Sequence, residues 1–108
     1  MIDNTLLVAI IDNMKAQLLY RYRQHYSDGA IMEVVVWRVP TPVPGSVHPY
    51  KYRLFYGYPG QRLVGCDNER GKGDHRHLGD REMVYRFTTP EKPIDDFLDD
   101  IDTLRSGS

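Results

Sequence analysis

Nine of the eleven residues in Asp67-Asn68-Glu69-Arg70-Gly71-Lys72-Gly73-Asp74-His75-Arg76-His77 can carry charge, share several hydrogen bonds or move a proton, and the other two are glycines. A segment of that kind has almost nothing to bury, so it reads as a loop built to hold a ligand, with the glycines letting the backbone approach closely. The chemistry it suits best is metal-independent cleavage of RNA. That reaction needs a base for the 2′-OH proton, an acid for the 5′-oxygen, and cations for the charge that builds up on phosphorus. Histidine titrates near neutral pH, so His75 and His77 fit the first two roles, and Arg70, Lys72 and Arg76 fit the third. Gly71 and Gly73 would let backbone N–H groups cradle a phosphate. Asp74 or Asp67 could orient a histidine, and His48, in a proline-rich stretch, could join them from another part of the fold.

The same residues allow other readings. Residues 66–82 hold four basic and five acidic side chains, so they could simply pair with each other in a well-hydrogen-bonded loop. His75 and His77, with Asp74 and Asp67, could hold Zn²⁺ or Mn²⁺. A lone His-x-His in a polar loop is weak evidence for that, and one cysteine cannot supply a structural zinc motif. The reading adopted requires no metal and no cofactor. Aromatic and basic side chains interleaved on a sheet face can clamp single-stranded nucleic acid, but tyrosines in the core and arginines at the rim explain the pattern as well. Trp37 reads as core rather than ligand platform, and Cys66 as a small packed residue rather than a nucleophile.

What must position these groups is one small domain. A chain of 108 residues with 41% apolar residues can build a single core. One cysteine excludes a disulfide framework and suits a reducing compartment. The longest apolar run, Leu6 to Ile11, is too short to span a bilayer and follows Asp3 and Asn4 rather than basic residues, so a soluble cytoplasmic protein is expected. A net charge of −1 argues against a strong nucleic-acid binder. However, residues 1–89 carry a basic excess of three and residues 90–108 an acidic excess of four. The acidic end is expected to be a solvated helix face, or else to fold over the basic body.

Leu6 to Ile11, extended through Met14, is a short helix or a buried first strand. From Ala16 the pattern is β, with Tyr26-Ser27-Asp28-Gly29 as a turn and Ile31 to Val39 completing a hairpin. Pro40 to Pro49 is an extended, polyproline-like loop. Tyr50 to Tyr58 and Gln61 to Cys66 form a second hairpin about Pro59-Gly60. After a polar loop from Asp67 to Glu82, Met83 to Phe87 is a fifth strand. Thr88-Thr89-Pro90 offers a cap, and Ile94, Phe97, Leu98, Ile101 and Leu104 make one helical stripe. The fold expected is α+β, a sheet of four or five mostly antiparallel strands with the C-terminal helix on one face. It occupies residues 1–105, and 106–108 are a tail or expression scar.

Three segments resemble one family. They are Trp37-Arg38-Val39-Pro40-Thr41-Pro42-Val43-Pro44-Gly45-Ser46-Val47-His48-Pro49-Tyr50-Lys51-Tyr52, the run from Cys66 to His77, and Tyr85-Arg86-Phe87. Their order and spacing are similar to the TumE family of small prokaryotic toxins, from about Ala16 to the final helix. Cys66 departs from the pattern, where an aromatic would be expected. The resemblance implies the toxin half of a type II toxin–antitoxin pair, with an antitoxin partner that is typically a helix-turn-helix DNA-binding protein. By analogy with other small toxins it implies an endoribonuclease with RNA as substrate, acting through Arg70, Lys72, Asp74, His75, Arg76 and His77, helped by His48. The pI of about 6.4 counts against a free ribonuclease toxin. The competing class is a non-catalytic module that binds its partner or a nucleotide through the same loop.

Overall fold

The computed structural model describes residues 15–107. The expected element at Leu6 to Met14 lies outside them. Six strands follow one another: β1 (Gln17–His25), β2 (Ile31–Arg38), β3 (Tyr50–Tyr58), β4 (Gln61–Glu69), β5 (Gly73–Leu78) and β6 (Arg81–Val84), with helix α1 (Glu91–Ser106) last. Each strand pairs antiparallel with the next, so the order across the sheet is the order along the chain. The α+β architecture agrees with expectation, and the strand count of four or five is corrected to six. The polar residues 67–82 are not a loop. Asp67–Glu69 extend β4, Gly73–Leu78 form β5, and the last strand is Arg81–Val84 rather than Met83 to Phe87.

The chain's β-branched and tyrosine-rich stretches make the central strands because such side chains pack well on a pleated surface. Met32, Val34 and Val36 of β2, Tyr52, Leu54 and Tyr56 of β3, and Val64 and Cys66 of β4 alternate onto one face and form the core. Phe97 and Ile101 of α1 cover that face and are almost fully buried. Leu98 and Leu104, at the margins of the helical stripe, stay exposed. Thr89 Oγ1 accepts the Lys92 N–H at 3.3 Å, which serves the first turn behind Pro90. At the far end, the Arg105 guanidinium donates to Tyr56 Oη at 2.7 Å and to Asp28 at 3.2 Å, 4.1 Å above the Tyr26 ring. The acidic helix is therefore two-faced. Asp96 and Asp100 turn inward onto Lys92, Tyr85 and Arg76, while Asp95, Asp99 and Asp102 face water.

Residues 39–49 connect β2 to β3 as a strap over the edge of the opposite sheet face. The strap is closed by Val39 N–H to Pro49 O at 2.8 Å, and held to the β4–β5 turn by Gly71 N–H to Pro44 O at 2.6 Å. Gly45 has φ of 99°, and a Cβ there would lie 2.8 Å from the Gly73 nitrogen. The two backbones touch, and only glycine allows it.

Candidate active site on the open sheet face

The expected ligand loop is split by the strand period of two. Asn68, Asp74 and Arg76 point to the helix side, and Asp67, His75 and His77 to the open side, because Asp67 pairs with His75 and Cys66 with Arg76. The structure thus separates the predicted residues into two groups.

On the helix side Asp74 is a hub. Its carboxylate accepts Ser46 Oγ–H at 2.6 Å and Tyr52 Oη–H at 2.7 Å, and lies 2.7 Å from His48 Nε2. The Tyr50 N–H faces His48 Nδ1 at 3.3 Å, so the ring proton sits on Nε2 and donates to Asp74. His48 stacks on Phe87 with centroids 3.6 Å apart. Burial, with the Asp74 carboxylate added, holds the Tyr52 hydroxyl far above its usual range, so it stays a donor. Asn68, 3% exposed, donates to Tyr50 O at 2.7 Å and to Ser46 Oγ at 3.2 Å, and accepts Tyr52 N–H at 2.9 Å. His48 does join Asp74 from the proline loop, in a network that fixes the strap. Arg76 donates Nε–H to Asp100 at 2.9 Å and thereby anchors α1. Burial pushes the Cys66 thiol up to about 12, which keeps it protonated at neutral pH and unsuited to nucleophilic attack.

The glycines of the β4–β5 turn do not form a phosphate cradle. Gly71 N–H goes to Pro44 and Lys72 N–H to Glu69 O, so these donors are already used. Arg70 and Lys72 are exposed on the turn, where Lys72 lies 3.5 Å from Glu69.

On the open side, Asp67, His77 and Arg62 form a second cluster. Arg62 donates to His77 Nδ1 at 2.9 Å, which leaves the ring proton on Nε2, 3.6 Å from the Asp67 carboxylate. Arg62 itself lies 3.9 Å from the other Asp67 oxygen. Burial raises the Asp67 pKa, and His77 and Arg62 offset part of that. His77 is only 7% exposed, under this cluster. His75, beside Asp67 on the next strand, has Nδ1 3.3 Å from Gly73 O and Nε2 3.8 Å from Glu82. Among the described residues no three His, Cys, Asp or Glu side chains converge as metal ligands. Asp74, one of the ligands considered for a divalent ion, sits on the opposite face from both histidines.

Arg62 reaches His77 across Gly65, which pairs with His77 in the ladder. A Cβ on Gly65 would come 2.8 Å from Arg62 Cδ. Gly65→Ala should therefore push Arg62, a flexible and exposed side chain, off the histidine, and the added Cβ would also sit 3.2 Å from the Leu54 carbonyl oxygen, so a stability loss of about 1 kcal/mol accompanies the change. A marked fall in activity under conditions where both proteins are fully folded, with the urea midpoint lowered by less than about 1 M, would be the result expected.

Between the strap and this face runs a groove of about 1050 Å³. Val35, Trp37, Lys51, Arg53 and Asp67 form its floor, Pro40 to Pro44 one wall, and Arg62, Glu69 and Arg70 its far rim. Sequence reasoning missed Arg62 and the groove itself; strand alternation pointed Arg53 to the exposed sheet face but gave it no role at the site. The one available signal was Gly65, a glycine inside a strand, which marks close approach by another group.

A family model described as Toxin TumE matches residues 8–105. No curated protein and no solved structure matches the chain. Among the described residues no helix is long and apolar enough to cross a membrane.

Proposed function

The chain belongs to the TumE toxin family, and from that premise we propose that it is the growth-arresting partner in a type II toxin–antitoxin pair and acts as a metal-independent endoribonuclease through the open sheet face. The observation that carries this reading is the desolvated Asp67 carboxylate, set beside His75 and rimmed by Arg53 and Arg62. A raised pKa makes Asp67 a better base than a solvated carboxylate, and it takes the 2′-OH proton. The 2′-oxygen attacks phosphorus and the 5′-oxygen leaves. His75, whose Nδ1–H is anchored on Gly73 O, delivers a proton to that oxygen from Nε2. The products are a 2′,3′-cyclic phosphate and a 5′-hydroxyl. Arg53 and Arg62 stabilise the charge on the phosphorane. His77 is a positioning residue that fixes Asp67 and Arg62.

Of the residues first singled out, His75 keeps a catalytic role and His77 a supporting one. Arg70 contributes charge at the groove rim, and Lys72 adds positive charge on the adjoining turn. Asp74, Arg76 and His48 act by holding the strap and helix. The partner that fits is a helix-turn-helix antitoxin, and the compartment is the cytoplasm, both in keeping with toxin family membership.

The test is induced expression of wild type and His75→Ala in a bacterial host, with growth and total RNA followed together and cleavage repeated in vitro with a chelator. Arrest with chelator-resistant cleavage only in the wild type is expected. Cleavage by His75→Ala at the wild-type rate overturns the acid assignment, and arrest without RNA damage overturns the ribonuclease.

A further inference from the structure

The strand register carries one rung of side chains across the open face. Arg21 of β1 pairs with Val35, Val35 with Arg53, Arg53 with Asp67 and Asp67 with His75, so all five share that face. The neighbouring rung places Arg23 beside Glu33 and Glu33 beside Phe55. Arg21 and Arg23 are exposed, and among the described residues neither side chain forms an ion pair or hydrogen bond. Arg53 stacks over the Phe55 ring, with Cζ 5.5 Å from the centroid, and has no carboxylate partner either. The charge on this face is lopsided. From β1 to β3 it carries Arg21, Arg23, Lys51 and Arg53 against Glu33 alone. On β5 and β6 it carries the side chains of His75, His77, Glu82 and Val84, with no lysine or arginine. The proposed chemistry has a direction along the rung. Asp67, the base on β4, serves the nucleotide whose 2′-oxygen attacks. His75, the acid on β5, serves the next nucleotide, whose 5′-oxygen leaves.

We propose that single-stranded RNA crosses the sheet along this rung with the nucleotides 5′ to the cut lying over β3, β2 and β1, and that Arg21 and Arg23 form a distal site for their phosphates. This deepens the ribonuclease reading and rests on it for the direction of the strand. The groove runs the same way, from Asp67 over Arg53 and Val35 to Ala16, which lies just before β1. At a strand spacing of about 4.8 Å, β1 is about 14 Å from β4, a reach of more than one nucleotide. On the 3′ side the strand passes over Glu82 and Val84, which offer it no cation. Affinity therefore comes from the 5′ flank. Contacts to phosphates position the strand and carry little sequence preference.

The experiment first maps a cut site in a single-stranded RNA with the wild-type protein. Three substrates are then made around that site: one with five nucleotides on each side, one with the 5′ flank trimmed to a single nucleotide, and one with the 3′ flank trimmed likewise. Trimming the 5′ flank should lower kcat/KM by about tenfold, mainly through KM, and trimming the 3′ flank by less than about twofold. Arg21→Gln/Arg23→Gln should lose about tenfold on the full substrate and nothing on the 5′-trimmed one. Arg81→Gln/Arg86→Gln removes the same charge at and after β6 and should leave all three substrates unaffected. Equal losses on trimming either flank overturn the direction. Equal losses in the two double variants, or a loss in Arg21→Gln/Arg23→Gln that ignores the 5′ flank, overturn the site. All four arginines are exposed, so the variants keep the fold, and the trimming series on wild type needs no variant. Binding of a 2′-O-methyl ten-mer, which lacks the attacking hydroxyl, is read by fluorescein polarisation. Arg21→Gln/Arg23→Gln should weaken it and flatten the salt slope by about 1.4. That result without cleavage of any RNA overturns the ribonuclease and leaves the phosphate site standing. Cleavage with binding unchanged in Arg21→Gln/Arg23→Gln does the reverse.

Discussion

Asp67→Asn should abolish growth arrest and lower RNA cleavage by a factor of about 10²–10⁴, while the protein becomes no less stable at neutral pH. The two halves of this result come from the same cause. Asp67 is largely withdrawn from water, and burial pushes its pKa above that of an ordinary aspartate. A carboxyl whose folded pKa is raised favours the folded state below its unfolded pKa. That contribution is lost as pH rises through the folded value, so the ionised form is a burden on the fold at neutral pH. Asparagine removes the burden and still offers an oxygen to His77 Nε2–H, but it cannot take a proton. Urea melts of both proteins between pH 4 and pH 8 check this. The stability of wild type relative to the variant should fall as pH rises through the raised Asp67 pKa. Undiminished arrest by Asp67→Asn would remove Asp67 as the base. A variant much less stable than wild type at neutral pH would mean that its ion pairing with His77 and Arg62 outweighs desolvation.

Asp74→Ala should have the largest effect on the fold. It strands three donors at once: Ser46 Oγ–H, Tyr52 Oη–H and His48 Nε2–H. Each buried donor left unmet costs about 1–3 kcal/mol, so the sum is about 3 kcal/mol or more. For a domain of this size that lowers the melting temperature by about 10–20 °C. Activity should fall as well, because two of the three donors belong to the strap that walls the groove. Thermal denaturation beside wild type, with cleavage measured well below the variant's melting point, separates the two effects. A melting point within about 2 °C of wild type would show that water replaces the carboxylate and that Asp74 is not the hub.

Much of this architecture was legible in the sequence. The hairpins, the proline loop and the C-terminal helix follow from β-branched alternation, turn glycines and the stripe through Ile94, Phe97 and Ile101. The stretch from Asp67 to Glu82 was misread because hydrophobic alternation is the usual sign of a strand, and here both faces are polar. Asp74 and Arg76 alternate with His75 and His77 as in any strand. Their partners, however, lie on distant elements, Ser46, His48 and Tyr52 for one and Asp100 for the other. Composition shows that such groups are charged, not what will neutralise them. The placement of His48 with an aspartate was foreseen, but its purpose was not: ring stacking on Phe87 and a hydrogen bond at each nitrogen leave it no free position for a substrate. Alternation puts Arg53 on the exposed sheet face, but neither it nor Arg62 stands out as a site residue, because arginines in strands are ordinary until register aligns them with Asp67.

The strictly sequential strand order has a further consequence, for how the chain reaches its native state. Every pairing in the sheet joins consecutive strands, so each can close as a hairpin without waiting for a distant segment. Average sequence separation between sheet partners is therefore low for a protein this rich in strands, which favours rapid folding. Asp67 and His75, on neighbouring strands, come together when a single hairpin zips. The contacts that do need distant segments are those of α1 and the strap, which bury Phe97 and join Asp74 to Ser46. The pair proposed as base and acid is thus encoded locally, and the long-range contacts serve to hold it still.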